Sequence, residues 1–228
     1  MSVRVAALVP ARGGSKRLPR KNLCTVGGQT LLARAVASGR DAARVDVTVV
    51  STEDDGIAAL AQAEGAEVLR RPPELAGDRV QNDAVARHAI ETLAGQGRAP
   101  EVLVLLQPTS PLRTARHVDE CLAGFLDSEA ASAMSLCPVT HHPGKYVTLD
   151  AGLVEPYTND LEMEARHQDL PPVYRQNGAI YAVRTAAFLA AGRFYLRPCL
   201  GYLMTPEDSI DVDDALDLAV AEALVRNR

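Results

Sequence analysis

The chain has 228 residues, of which 47% are hydrophobic and 23% charged, with a formal net charge of -5. That length supports one substantial core, or one core with a small lobe. The acidic balance argues against a general nucleic-acid binder, which needs a broad basic face, and no apolar stretch approaches the roughly 18 residues of a membrane span.

Residues 3–9, VRVAALV, read as a buried strand. The apolar run 5–9 is too short for a signal-peptide core and meets Pro10 and Arg12 at once. The next stretch, VPARGGSKRLPRKN (9–22), holds five Arg or Lys among fourteen residues. A helix is expected over 30–42 after the turn at Gly27 and Gly28, then a strand over 45–51. Residues 53–65 open with acidic side chains suited to a helix N-terminus. A short strand at 66–71, a helix at 82–95, a strongly apolar strand at 101–107, a helix at 114–128 and a strand at 131–139 follow. From 141 to 176 helical periodicity is lost, and Pro, His, Tyr and acidic residues dominate, which suggests a lobe or arm. A strand at 177–184 and a closing helix within 209–228 complete the chain. This alternation implies an α/β fold with a doubly wound, mostly parallel sheet.

Ligands of such sheets sit beyond the carboxyl ends of the strands. In the basic loop there, Gly13 and Gly14 let backbone approach a ligand, while Arg12, Lys16, Arg17, Arg20 and Lys21 supply charge for a polyphosphate. A merely solvated loop is the alternative. The loop is neither a Walker A motif nor GxGxxG. Asp211 and Asp213 would share one side of an extended segment and could hold one divalent cation, although Asp211 or Asp214 also suits a helix cap. Gln107 would emerge at a strand end with a donor and an acceptor for a sugar hydroxyl or carboxylate. His141 and His142 point to opposite faces if extended, and no zinc spacing accompanies them. Cys24, Cys121, Cys137 and Cys199 are scattered and form no CxxC pair, so free thiols in a reducing, cytoplasmic setting are expected.

Six blocks in collinear order resemble the N-acylneuraminate cytidylyltransferases, the CMP-sialic acid synthetases. They are PARGGSKRLPRKN (10–22), RRPPELAGD (70–78), LLQPTSPLRT (105–114), CPVTHHPGK (137–145), RHQDLPPVYRQNGAIY (166–181) and EDSIDVDDALDLAVAE (207–222). The resemblance covers essentially the whole chain. It implies one domain over 1–228 of the nucleotide-diphospho-sugar transferase type, with a small dimerisation arm at 141–176. It further implies a homodimer that uses CTP, a nonulosonic acid and Mg²⁺ (or Mn²⁺) to make a CMP-sugar and pyrophosphate, with no nucleic-acid or membrane partner.

Residue by residue, the resemblance places Arg12 and Lys21 as clamps on the triphosphate. Ala11, Gly13, Gly14, Ser15, Asn22, Arg71 and Asn82 would lie at the nucleotide, and Asp211 and Asp213 at the metal. Gln107, Arg166, Arg175, Asn177 and Tyr181 would meet the sugar acid. Lys145 would reach toward the neighbouring subunit's sugar site, and Phe194 and Tyr195 would line an N-acyl pocket. Arg113 is as readily structural. Two rivals stand beside this reading: activation of another acid (legionaminic, pseudaminic, KDO-like or a phosphonate), and a non-catalytic sugar-nucleotide-binding regulator. The sequence departs from the family pattern at His167, where a second Arg is common, and at Gln81-Asn82, where Ser-Ser is common. Base selection is therefore expected from fixed backbone carbonyls near Ala7 or Ala76, with Asn82 as a helix cap the alternative.

Overall fold

In the computed structural model, which describes residues 4–15, 17–77 and 80–227, the chain begins with β1 (Val5–Pro10) and a small ribbon, β2 (Thr25–Val26) and β3 (Gln29–Thr30). It continues through α1 (Leu31–Arg40), β4 (Val47–Thr52), α2 (Asp55–Ala63), β5 (Glu67–Arg70), α3 (Asn82–Gly95), β6 (Val102–Leu105) and α4 (Ala115–Leu126). Then come β7 (Ser132–Pro138), β8 (Val147–Asp150), β9 (Leu153–Pro156), α5 (Asp160–Glu164), β10 (Tyr174–Arg184), α6 (Thr185–Ala191), β11 (Cys199–Leu203) and α7 (Ala215–Arg226). Val3, Lys16, Asp78 and Arg228, each part of a segment read from the sequence, lie outside the described residues.

Among the described residues, seven strands form one sheet in the order β11-β7-β10-β6-β1-β4-β5. β5, β4, β1 and β6 run parallel, and β11 runs parallel to β7. β10 lies antiparallel to both β6 and β7. The mostly parallel expectation holds, with one reversed strand in the middle.

Side chains alternate across each strand, so β1 feeds two cores. Ala7 and Val9 pack with Leu32 of α1, Ile57 of α2 and Val118 and Phe125 of α4. Ala6 and Leu8 pack on the other face with Val85 and Ile90 of α3 and Phe188 of α6. Burial on both faces is why these strands read as continuous apolar runs. Each fully buried Leu, such as Leu8 or Leu103, contributes roughly 1.5–3 kcal/mol. Thr30 and Asp54 start the first two helices by accepting from Ala33 N at 3.0 Å and Ile57 N at 2.8 Å. A third, smaller cluster seats α7 on the β2–β3 ribbon through Val26, Leu31, Val212 and Ala221.

The arm is more regular than its sequence suggested. β8 and β9 form a hairpin that, among the described residues, joins no other strand, turned at Ala151 (φ 45°) and Gly152 (φ 86°). Two residues with positive φ match the right-handed twist of the strands they connect. Val147, Leu149 and Val154 share one face and are exposed, Leu149 by 72%. Val147-Thr148-Leu149-Asp150 does alternate apolar and polar, but two four-residue strands are too short a run for periodicity to reveal the hairpin. α6 and β11 were not anticipated either: α6 is a seven-residue helix, and β11 is an edge strand interrupted by Gly201.

Candidate active site

The loops leaving the carboxyl ends of β1, β5 and β6 meet the segment before α7 around a cleft of about 330 Å³. Arg12, Gly14, Ser15, Lys21 and Asn22 line it from the basic loop, Arg71 and Gly77 from the loop after β5, and Asn82 from the first turn of α3. Gln107 and Thr109 line it from the end of β6, and Asp211 and Asp213 from the acidic segment. Most residues expected at the nucleotide and metal are thus gathered into one cavity.

Asn22 folds the basic loop by donating to Arg12 O at 2.9 Å. Lys21 donates to Asp213 Oδ1 at 3.0 Å, and Arg17 reaches Asp213 Oδ2 at 3.4 Å. Gly14 and Ser15 face the cleft, but two neighbours do not. Ala11 is fully buried and extends the sheet by donating to Ser51 O at 3.0 Å. The Gly13 amide is committed to Glu53 Oε1 at 2.7 Å, and a Cβ on Gly13 would meet Asp54 Oδ2 at 2.6 Å. Glu53 and Asp54, just past β4, therefore suffice to require a glycine here. Glu53, a residue that sequence reasoning missed, keeps its buried Oε2 without a hydrogen-bond partner; its only sequence signal was an acidic residue just past a strand end.

Arg71 is buried and donates to Ser51 Oγ, Ser51 O and Leu75 O, fastening the 71–77 loop to β4. Burial pushes its guanidinium below the usual range, with nearby Glu53 opposing the shift and Arg12 adding to it. Gln81, not Asn82, occupies the N-cap of α3, so the capping alternative for Asn82 fails. Ala7 sits inside the β-ladder, paired with Thr48 and Val104, and is not an available acceptor. Ala76 closes a turn beside Gly77 at the cleft wall and remains a candidate.

The helix cap before α7 is supplied by Asp214, which accepts from Leu216 N at 2.8 Å and Asp217 N at 3.1 Å. Asp211 and Asp213 are left to the cleft. Asp211 opens to solvent at the mouth, yet the surrounding protein partly desolvates it and raises its pKa; the neighbouring Asp213 adds to the rise. A hydrogen bond from Thr109 and the charge of Lys21 oppose it. Two carboxylates from one segment before α7, beside basic side chains suited to phosphate, fit Mg²⁺, which uses one or two carboxylates and takes its other oxygens from phosphate and water. Among the described residues no set of three or more His, Cys, Asp or Glu is placed to hold a metal alone.

Beside Gln107 and Asp211, Gly178 (φ 77°) sits in a bulge of β10, where a Cβ would stand 3.3 Å from Gln107 Oε1 and 3.8 Å from Asp211 Oδ2. Tyr181 follows, its pKa raised by burial and by the charge of Asp211. Arg113 is structural: its buried guanidinium donates to Ser38 Oγ, Gln107 O and Ala179 O at 3.0, 2.9 and 2.8 Å, and burial pushes it down to about 9.

Tyr181 and the remaining sugar-side residues do not line this cleft. Asn177 is buried in the sheet, with its amide fully engaged. Phe194 packs into the core against Phe188 and Tyr181, at centroid distances of 5.1 and 6.3 Å, whereas Tyr195 faces outward and accepts from Arg197 Nε at 3.1 Å. Successive residues of an extended stretch point apart, so these two aromatics form no common pocket. Lys145 holds the end of α5 through Met163 O and Ala165 O, Arg166 pairs with Asp169 at 2.7 Å, and Arg175 reaches Ser209 O at 3.5 Å.

The cytidylyltransferase family matches residues 6–221. The chain is 32% identical to the CMP-N,N'-diacetyllegionaminic acid synthase of Legionella pneumophila, over 98% of this chain and 97% of that protein. It is 28% identical to the N-acylneuraminate cytidylyltransferase of Escherichia coli O18:K1:H7, over 97% of this chain and 52% of that protein. It spans about half the length of the N-acylneuraminate cytidylyltransferases of E. coli and Streptococcus agalactiae that it matches. Among solved structures, a CMP:2-keto-3-deoxy-manno-octonic acid synthetase complexed with CTP superposes with a TM-score of 0.72 at 17% identity, covering 98% of this chain and 99% of that one. At that identity the likeness is one of fold.

Proposed function

The chain belongs to the cytidylyltransferase family, and from that premise we propose that it transfers CMP from CTP to the anomeric hydroxyl of a nonulosonic acid, with Mg²⁺ and release of pyrophosphate. The observation that carries this reading is the single cleft shared by Arg12, Lys21, Gln107, Asp211 and Asp213. The hydroxyl oxygen attacks the α-phosphorus in line. A new O–P bond forms, the bond to the α,β-bridging oxygen breaks, and that electron pair leaves with pyrophosphate as the hydroxyl proton passes to solvent water.

Positioning and charge neutralisation supply most of the rate in such displacements. Arg12 and Lys21 meet the charge that grows on the leaving pyrophosphate. Asp211 and Asp213 would hold Mg²⁺, which when bound offsets phosphate charge and acidifies the attacking hydroxyl. Gln107 presents its amide to the acceptor. Pyrophosphate release with CTP, Mg²⁺ and a panel of nonulosonic acids tests the whole reading. Silence across the panel, with intact CTP binding, would favour a non-catalytic binder.

Base choice gives a sharper check. The Asn82 amide offers both a donor and an acceptor and suits either pyrimidine by flipping, so discrimination falls to fixed backbone near Ala76. CTP is expected to be preferred strongly over UTP, by up to about 10⁴-fold where buried partners would be stranded. Asn82→Ser should change nucleotide affinity more than the CTP/UTP ratio. Comparable use of UTP by the wild type would sink the cytidylyl assignment.

The exposed face of Val147, Leu149 and Val154 on the arm supports a homodimer, because contiguous exposed apolar surface marks an interaction site. Sedimentation should show a dimer at assay concentrations and a shift toward monomer in Leu149→Asp. A wild-type monomer with full activity refutes the dimer.

A further inference from the structure

Asn177, expected at the sugar, lies instead at the bulge of β10, only 2% exposed. Its Oδ1 accepts from Ser135 Oγ at 2.5 Å and from Ala179 N at 3.2 Å. Its Nδ2 donates to Ser209 Oγ at 2.8 Å and lies 3.3 Å from Met204 Sδ. The orientation of an Asn amide is normally a matter of inference. Here the backbone N–H of Ala179 demands the oxygen, so the amide hydrogens must face Ser209. The chain of bonds is consistent in direction: Ser209 Oγ accepts from Asn177 and donates onward to Thr205 O at 2.6 Å, and Ser135 Oγ accepts from Ile180 N at 2.7 Å. No capacity of this amide remains for a ligand.

Ser209 is fully buried and stands two residues before Asp211, in the segment that joins β11 to α7. Past it, Val212 N donates to Thr109 O at 2.7 Å. The stretch carrying Asp211 is thus held at two points, from β10 through Ser209 and from the end of β6 through Thr109. We propose that Asn177 and Ser209 are positioning residues, a buried clamp that fixes the acidic segment so that the carboxylates of Asp211 and Asp213 face the cleft. The clamp follows from geometry; its consequence for Mg²⁺ rests on the function proposed above. A buried hydrogen bond worth about 1–1.5 kcal/mol corresponds to roughly a tenfold change in the equilibrium it biases.

Two variants test this. Ser209→Ala removes the loop side of the clamp and leaves the bonds of Ser135 to Asn177 and Ile180 in the sheet in place. Asn177→Asp replaces the Nδ2 donor with an oxygen. By native-state hydrogen exchange, the Val212 amide should exchange roughly tenfold faster in both, while the Ala182 amide in the sheet keeps its protection. In the presence of CTP, Mn²⁺ titration followed by electron paramagnetic resonance should show half-saturation raised about tenfold. CTP affinity in EDTA should stay within about threefold of the wild type. Unchanged Val212 protection in Ser209→Ala overturns the clamp, and that variant alone decides if Asn177→Asp does not fold. A wild type that binds no Mn²⁺ with CTP removes the metal from the proposed function, while the exchange measurement still decides the clamp.

Discussion

Asp211→Ala is expected to lower kcat by roughly a thousandfold while leaving the melting temperature near that of the wild type, because several kcal/mol of charge stabilisation disappear and each 1.36 kcal/mol is tenfold in rate. The fold should survive for a structural reason. Asp211 supports no helix cap, since Asp214 and Asp217 form the capping box of α7, and Val212 keeps its own backbone bond to Thr109. Asp213→Ala should lose activity to a similar degree, although it also releases Lys21 from its ion pair at 3.0 Å. Steady-state pyrophosphate release and thermal melts check both variants. Near-normal turnover of either one at saturating Mg²⁺ would remove that carboxylate from the site.

The second large effect is placed at Gly178. Its φ of 77° disfavours any side chain, and strain of this kind costs about 1–3 kcal/mol. The added methyl of Gly178→Ala would also stand 3.3 Å from Gln107 Oε1, tighter than an ordinary contact. A destabilisation of about 2 kcal/mol should lower Tm by roughly 4–8 °C in a domain of this size. Displacement of Gln107 should raise KM for the sugar acid more than KM for CTP. Gly95→Ala is the control: that helical glycine has open space around it and an ordinary φ, so the change should be neutral or slightly stabilising. Equal stability of the two variants would show that the bulge relaxes freely.

Much of the sheet was legible because its strands are buried on both faces and spell their burial as runs such as EVLVLLQ. Strand direction was not, since nothing in NGAIYAVR distinguishes a parallel from an antiparallel neighbour. β10 enters between β6 and β7 reversed for reasons of chain topology that hydropathy does not encode. At the site, Arg12 and Gln107 were readable because each lies just past a strand, where side chains face the open edge, whereas the roles of Lys21, Asp211 and Asp213 came from the family resemblance, since position alone left a solvated loop and a helix cap open. Asn177 looked alike in sequence, polar and beside a glycine, but its amide had already been consumed by Ser135 and Ser209. Gly13 misled in the opposite way: a glycine in a basic loop suggests a ligand close by, whereas here the crowding atom belongs to Asp54. Lys145 and Arg166 belong to an arm that bonds to itself, and their sequence gives no geometry relative to the cleft.

The pairing of Lys21 with Asp213 makes two binding events thermodynamically interdependent. Under the proposed reading, a triphosphate draws Lys21 toward itself and hands the carboxylate to the cation. Each ligand then strengthens the other by the same factor, as reciprocity of coupling requires. A cation arriving alone must compete with an ammonium already at 3.0 Å, and a nucleotide arriving alone must draw that ammonium away from its carboxylate. Lys21→Met would remove that coupling. It should bind Mn²⁺ more tightly than the wild type when no nucleotide is present, even as it loses affinity for CTP.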